Sequence, residues 1–249
     1  MQTPPLAYHD PKFIDSDEGR PIRIVSEYLA PLRALEKAGV SATVVFFGSA
    51  RIQPGGPLGR YYEQATELAR LVTEWSCSLG ERLVVCSGGG PGIMEAANRG
   101  AALAGGRSVG LNIGLPDEQL PNAFITPGLC FKFHYFFMRK LWFAHLAHAM
   151  VAFPGGFGTL DELFEILTLA QTRKISRAIP VLLFGSDYWN EVVNFDALVR
   201  HGTIAADDLS LFEFVDEPQA AFETLKRRIQ LPPPEARMSF AKSRCPRDA

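Results

Sequence analysis

The stretch Pro154-Gly155-Gly156-Phe157-Gly158-Thr159-Leu160-Asp161-Glu162 joins the end of an apolar run, Ala149 to Phe153, to the start of a helical pattern. An apolar strand that turns through glycines into a helix is the repeating joint of parallel α/β proteins. Glycines let the backbone turn tightly and come close to a ligand. The first amides of the helix have no intrahelical acceptor and point outward at the positive end of the dipole. The joint therefore reads as a phosphate cradle, with the Thr159 hydroxyl as a further donor. Glu162 places a carboxylate beside it, which points to chemistry next to a bound phosphate.

Outward from this joint the same pattern recurs. Short apolar or β-branched runs at 42–47, 83–86, 108–112, 149–153 and 180–184 read as strands, and their continuous apolarity predicts burial on both faces. The stretches near 60–75, 92–104, 131–147, 159–172 and 188–200 carry apolar residues at helical spacing. Alternation of this kind predicts an α/β fold, a doubly wound parallel sheet flanked by helices. A leading helix near 22–38 and a closing helix near 218–229 are expected on the outside. The 249 residues fit one sizeable domain better than two. Residues 1–20 lack periodicity and are expected to be flexible, 21–231 to form the single domain with its N-terminal helical extension, and 232–249, opening on Pro232-Pro233-Pro234, to form a flexible tail.

Composition narrows the partners. A formal net charge of -2 gives no electrostatic footprint for nucleic acid. No run approaches the roughly twenty apolar residues that span a bilayer, and the N-terminus lacks a signal-peptide core, so neither membrane nor export is expected and the reading is cytoplasmic. Cys77, Cys86, Cys130 and Cys245 have no regular spacing, which favours reduced thiols over a disulfide framework or a zinc site. His145 and His148 lie three apart on a helical pattern but lack a third ligand, so no metal is expected.

Three glycine-bearing turns fall at the carboxyl ends of predicted strands, where doubly wound sheets bind ligands. They are Gly48-Ser49, Ser87-Gly88-Gly89-Gly90-Pro91-Gly92 and the Pro154 to Thr159 turn. The second is not an ATPase phosphate loop, because no Gly-Lys-Ser or Gly-Lys-Thr follows it. It is also a poor dinucleotide fingerprint: the third required glycine falls on Ile93, and no acidic ribose reader stands near Asn112.

Together these residues resemble the Lonely Guy family of cytokinin-activating nucleoside 5′-monophosphate phosphoribohydrolases, whose bacterial members were once mislabelled lysine decarboxylases. The resemblance covers roughly residues 42–230. It rests on Pro154-Gly155-Gly156-x-Gly158-Thr159-x-x-Glu162, on Met138-Arg139-Lys140, and on Gly88-Gly89-Gly90-Pro91-Gly92-Ile93-Met94-Glu95. It implies hydrolysis of an N-glycosidic bond of a nucleoside 5′-monophosphate to free base and ribose 5-phosphate, with no metal or organic cofactor, by a homodimer or higher homo-oligomer with a Rossmann-like, doubly wound α/β fold. By motif position, Arg139 and Glu162 would be catalytic. Gly48, Ser49, Gly88, Gly89, Gly90, Lys140, Gly155, Gly156, Gly158 and Thr159 would line the nucleotide site, with Glu118 as a further substrate-binding carboxylate. Phe136-Phe137-Met138-Arg139 in place of Met-His-x-Arg, Glu95 after Met94, and the N-terminal extension look more like the longer bacterial branch than the plant-like one. A pyridoxal-phosphate decarboxylase would need a Schiff-base lysine with an acidic partner for the pyridine nitrogen, and no such arrangement is recognisable.

Other readings of the same residues stand beside this one. Thr159 as N-cap with Glu162 at N3 would form a capping box worth about 1 kcal/mol, a purely structural role. Arg139 and Lys140 could be a solvated helix end, and Phe131, Phe133, Tyr135, Phe136 and Phe137 read as core and subunit contact. Asp161 and Glu162 would repel a phosphate by roughly 4 kcal/mol at about 4 Å and a dielectric of 20, so Asp161 is expected to face elsewhere and positive charge must come from another segment, which Arg139 and Lys140 are placed to supply. The alternative function is a non-catalytic nucleotide or molybdenum-cofactor carrier on the same fold; a dinucleotide oxidoreductase comes third.

Overall fold

The computed structural model describes residues 4–114, 120–175 and 177–231. Seven strands form one sheet: β1 (Thr43–Phe47), β2 (Val84–Ser87), β3 (Ser108–Ile113), β4 (Cys130–Phe133), β5 (Ala147–Ala152), β6 (Val181–Phe184) and β7 (Phe212–Val215). Their order is β4-β3-β2-β1-β5-β6-β7, and every neighbouring pair is parallel. The helices are α1 (Pro11–Ile14), α2 (Arg20–Ala38), α3 (Gly59–Ser78), α4 (Ile93–Leu103), α5 (Phe136–Leu146), α6 (Phe157–Gln171), α7 (Ser186–Val192), α8 (Phe195–Arg200) and α9 (Pro218–Arg228).

The central strands are apolar along their whole length because each face has its own core. Val45 and Phe47 of β1, Met150 and Ala152 of β5, and Val181 and Leu183 of β6 pack with Leu35, Trp142, Leu163 and Trp189 on one side. Val44, Phe46, Ala149, Val151, Leu182 and Phe184 face Tyr61, Leu68, Ile93 and Leu225 on the other. Side chains of period two thus feed both layers, as a doubly wound sheet requires. On the second face α3 and α4 approach closely where Gly100 lies against Thr66 and Ala69, with Ala65, Ala96 and Ala97 buried in the same core.

The structure differs from the sequence reading at its margins. The pattern at 131–147 is not one helix: Cys130–Phe133 pairs with β3 as an edge strand, and α5 begins only at Phe136. The alternation Phe131-Lys132-Phe133-His134 carries that strand signal. The expected helix over 188–200 is broken in two, because Val193 is extended and the Asn194 side chain caps a new helix at the Ala197 amide. The second edge strand, Phe212–Val215, lay in a stretch with no predicted element. Before residue 20, where little periodicity is visible, two short helical turns form at Ala7–His9 and Pro11–Ile14. Arg23 of α2 ties down their exit by donating to the carbonyls of Ile14 and Ser16.

A Cβ on Gly100 would lie 2.1 Å from the Thr66 carbonyl oxygen and 2.8 Å from the Ala69 Cβ, so even alanine must push α4 off α3. Gly100→Ala should cost about 2 kcal/mol, which a thermal melt would read as a fall of roughly 4–8 °C. An unchanged midpoint would mean that the two helices do not need this close approach.

Candidate active site

Strand order reverses between β1 and β5, since β1 leads to β2, β3 and β4 on one side and β5 leads to β6 and β7 on the other. At such a point the connecting turns diverge and leave a crevice beyond the carboxyl ends of the strands. Here the crevice is a cleft of about 640 Å³, lined by Gly48 to Arg51, Gly88, Met94, Arg139, Gly155 to Leu160, and Tyr188.

The turns around it are fixed by backbone hydrogen bonds. The Ser49 amide donates to the Pro154 carbonyl at 2.9 Å, and the Ser49 carbonyl accepts from the Ile93 amide at 3.2 Å. One residue thereby joins the turns after β1, β2 and β5. Gly92 makes the second of these contacts possible: its φ is +68°, and a Cβ there would lie 2.3 Å from the Ser49 oxygen. From the opposite wall the Tyr188 hydroxyl donates to the Gly155 carbonyl at 2.8 Å.

Helix α6 starts two residues before the expected cap. Gly156 is the N-cap, in an extended conformation, and the Thr159 and Leu160 amides both donate to its carbonyl. The Phe157 and Gly158 amides precede the first intrahelical acceptor, and Gly156 and Gly158 have open space where a side chain would stand. The capping box is therefore not formed. Thr159 is buried at the third helical position, with its hydroxyl 2.1 Å from where a Gly155 Cβ would sit, and Glu162 lies nearly a turn deeper than a capping residue.

Glu162 is 3% exposed, and one oxygen lies 3.7 Å from Arg139 Nη2. Arg139 reaches it from the second turn of α5, its guanidinium 5.4 Å from the Phe143 ring centroid. The Arg139 Nε is buried without a hydrogen-bond partner. Burial pushes the Glu162 carboxyl up to about 7, more than Arg139 and Lys140 pull it down; the nearby Glu165 and Asp161 carboxylates add to the rise. Burial likewise lowers the Arg139 pKa, against the opposing pull of Glu162. Two oppositely charged groups with displaced pKa values, buried beside a cleft, make this pair a candidate functional site.

Not every expected residue meets in the cleft. Gly48, Ser49, Gly88, Gly155, Gly156, Gly158, Thr159 and Arg139 line it, with Glu162 directly behind. Lys140 turns along the outside of α6, 2.9 Å from Asp161 and 3.1 Å from Glu165; burial works against its charge, but these two carboxylates together raise its pKa. Gly89 and Gly90 pass behind the cleft, where their carbonyls accept from the Asn122 amide and side chain. Glu118 lies outside the described residues. Arg51 and Tyr188 went unnoticed in the sequence. The place of Arg51 two residues past a predicted ligand turn could have marked it, whereas Tyr188 carries no local signal. His145 and His148 sit at the other end of β5, where burial lowers both to about 4. Among the described residues no group of three or more His, Cys, Asp or Glu could hold a metal ion, and no helix is long and apolar enough to cross a membrane.

Fold and cleft define a Rossmann-like α/β protein with a glycine-rich ligand crevice at the switch point. A family model described as "Possible lysine decarboxylase" matches residues 94–225. The probable cytokinin riboside 5′-monophosphate phosphoribohydrolase LOGL5 of Oryza sativa subsp. japonica is 29% identical over 192 residues, covering 76% of this chain and 72% of that protein. Cytokinin riboside 5′-monophosphate phosphoribohydrolase LOG7 of Arabidopsis thaliana is 34% identical over 164 residues, covering 65% and 70%. The chain belongs to this family, the Lonely Guy family. Among solved structures, TM1055 superposes with a TM-score of 0.54 at 22% identity over 75% of this chain and 99% of that one. The molybdenum cofactor carrier protein of Chlamydomonas reinhardtii gives 0.51 at 17% identity over 76% and 98%. At these identities the likeness is one of fold.

Folding raises the Glu162 carboxyl from its ordinary 4.5 to about 7, so the folded state holds this proton more tightly than the unfolded one. The contribution of Glu162 to stability is then most favourable below about 4.5 and declines as pH rises toward 7. Glu162→Gln removes that decline. At pH 8 its thermal midpoint should equal or exceed that of the wild type; a drop of more than about 4 °C, roughly 1–2 kcal/mol for a chain of this size, would show that Arg139 depends on the ionised carboxylate to stay buried.

Proposed function

We propose that the cleft hydrolyses the N-glycosidic bond of a nucleoside 5′-monophosphate, releasing free base and ribose 5-phosphate. The observation that carries this reading is the buried Arg139–Glu162 pair directly behind a helix N-terminus built to receive a phosphate. Membership of a family whose named relatives act on cytokinin riboside 5′-monophosphates supports the substrate class.

In this mechanism the 5′-phosphate rests on the Phe157 and Gly158 amides and the Thr159 hydroxyl, which places the ribose over Glu162. As the C–N bond lengthens, its electron pair leaves with the base and positive charge builds on the sugar. The Glu162 carboxylate stabilises that charge and orients a water for attack on the anomeric carbon. The water's oxygen forms the new bond to the anomeric carbon and keeps one proton as the new hydroxyl, while the other passes to the Glu162 carboxylate and from it to the departing base, so that the acid is ionised again for the next turnover. Arg139 holds the carboxylate in place and favours its ionised form. The low-polarity surroundings that displace its pKa also strengthen its field on the reacting centre.

The apolar side chains left exposed on α5 and α6 support a homodimer or larger homo-oligomer. Phe136, Phe137 and Leu141 are 54%, 49% and 40% exposed, and Phe157 is 92% exposed; a patch of this kind ordinarily marks an association surface. Light scattering should give at least twice the 27.4 kDa chain mass, and a monomer at micromolar concentration would remove this part of the reading.

The direct test is incubation with AMP, GMP, CMP, UMP and an isoprenoid-substituted AMP, without added metal, quantifying base and ribose 5-phosphate. Release of both products is expected, lowered at least about 100-fold in Glu162→Gln and Arg139→Gln. Because the ionised carboxylate is the active form, kcat/KM should rise with pH along a limb centred near 7. Nucleotide that binds and returns unchanged from the wild type would favour a carrier; near-normal turnover in Glu162→Gln would remove that residue from the mechanism.

A further inference from the structure

A phosphate dianion needs positive charge at the mouth of the cleft, and the structure accounts for the nearby cations one by one. Lys140 is committed to Asp161 and Glu165 along the outer face of α6 and does not line the cleft. Arg139 lines it but stands 3.7 Å from Glu162, with its charge set against that carboxylate. The remaining cation in the lining is Arg51, on the turn that follows β1. Its side chain is exposed, and among the described residues it makes no ion pair. Its backbone, by contrast, is fixed: the Arg51 amide donates to the Ser49 hydroxyl at 3.1 Å, and Ser49 is itself bonded to the Pro154 turn and to Ile93.

The sign of the lining agrees. Its charged side chains are Arg51 and Arg139, with no carboxylate among them, in a chain whose formal net charge is -2. With the Arg139 charge set against Glu162 behind the cleft, Arg51 is the uncompensated charge of the lining, and a cation in a concave site raises the local concentration of anions.

We propose that Arg51 is the specificity residue for the 5′-phosphate: it reaches across the mouth of the cleft to the phosphoryl oxygens seated on the Phe157 and Gly158 amides, and so separates nucleoside 5′-monophosphates from nucleosides. The inference rests on the phosphoribohydrolase reading for its substrate, and on cleft geometry alone for the anion. A guanidinium offers two parallel donors to such a group, which an ammonium cannot reproduce. Exposure leaves the side chain hydrated and unpaired before binding, so its charge is engaged by the ligand rather than by the protein.

The test measures ribose 5-phosphate binding by calorimetry for wild type, Arg51→Gln and Arg51→Lys, each first shown by thermal melting to be folded. Affinity should fall at least about tenfold in Arg51→Gln, equivalent to 1.4 kcal/mol, and partly recover in Arg51→Lys. For a nucleoside 5′-monophosphate turned over by the wild type, the same substitution should raise KM by about tenfold with kcat within about threefold, the signature of lost ground-state binding. Equal ribose 5-phosphate affinity in wild type and Arg51→Gln, or no binding to the wild type at millimolar concentration, overturns the proposal. Unchanged KM in Arg51→Gln with active wild type overturns it while leaving the hydrolase reading intact. Loss of binding in Arg51→Gln with no turnover of any nucleotide by the wild type upholds the anion role of Arg51 and removes the hydrolase reading instead.

Discussion

Because β5 returns from the far edge of the sheet to lie beside β1, two strands whose connections leave in opposite directions place their carboxyl ends side by side, and no turn crosses the gap between them. The backbone of Ser49 spans its floor, bonded on one side to Pro154 and on the other to Ile93. These two bonds set the separation of the three glycine turns. The remaining features of the site follow from that floor: α6 starts just after its N-cap Gly156, its first amides open into the cleft, and the residue six positions past the cap lies beneath it.

That residue is Glu162, and its position carries a cost. A carboxylate 3% exposed, with a guanidinium at 3.7 Å, is poorly compensated for the water it has lost. A closer contact would have held the acid well below neutrality; this one leaves it near 7, able to change its charge in the range where a cell works. The unsatisfied Arg139 Nε tells the same story from the other partner. A pair selected for stability alone would be shorter and fully bonded. Unpaired buried polar atoms also occur at Thr43, Gln64 and Asn112, so what sets this pair apart is its place beside the glycine-rich cleft.

How much of this could be read from the residues depends on how local the signal was. The five strands at the middle of the sheet, β1, β2, β3, β5 and β6, are continuous apolar runs because both faces are buried, and each was visible. The two edge strands were not. Cys130–Phe133 is half exposed and lies within a longer helix-like pattern, while Phe212–Val215 is short and only partly covered. The glycine turns and the Arg139–Glu162 pair stood out through their motif. The capping box at Thr159 and Glu162 was a fair local reading that failed because the helix start is set by Gly156 and the turn geometry, not by the best capping residue. Lys140 follows Arg139 in sequence, but successive residues of a helix point about 100° apart, so one enters the cleft and the other runs along α6. Tyr188 reaches the Gly155 carbonyl from 33 residues away, a contact that only the tertiary fold creates.

The apparent conflict between two acidic residues and a phosphate-binding turn is resolved by the same division of roles. Lys140 is shared by Asp161 and Glu165 on the outer face of α6, and Arg139 faces Glu162 on the inner one, so each carboxylate near the start of the helix has a cation beside it. What an incoming phosphate meets is then the helix dipole, the open amides and the unpaired Arg51. Repulsion of roughly 4 kcal/mol per exposed carboxylate at about 4 Å would have cancelled that attraction. Holding these carboxylates against cations lowers that penalty, and in the proposed reaction it leaves Glu162 close enough to act on the positive charge that would appear as the glycosidic bond breaks. Under that proposal the same helix would attract an anion at its first residues and stabilise a cation one turn further in, because the two charges would be met at different depths and at different moments of the reaction.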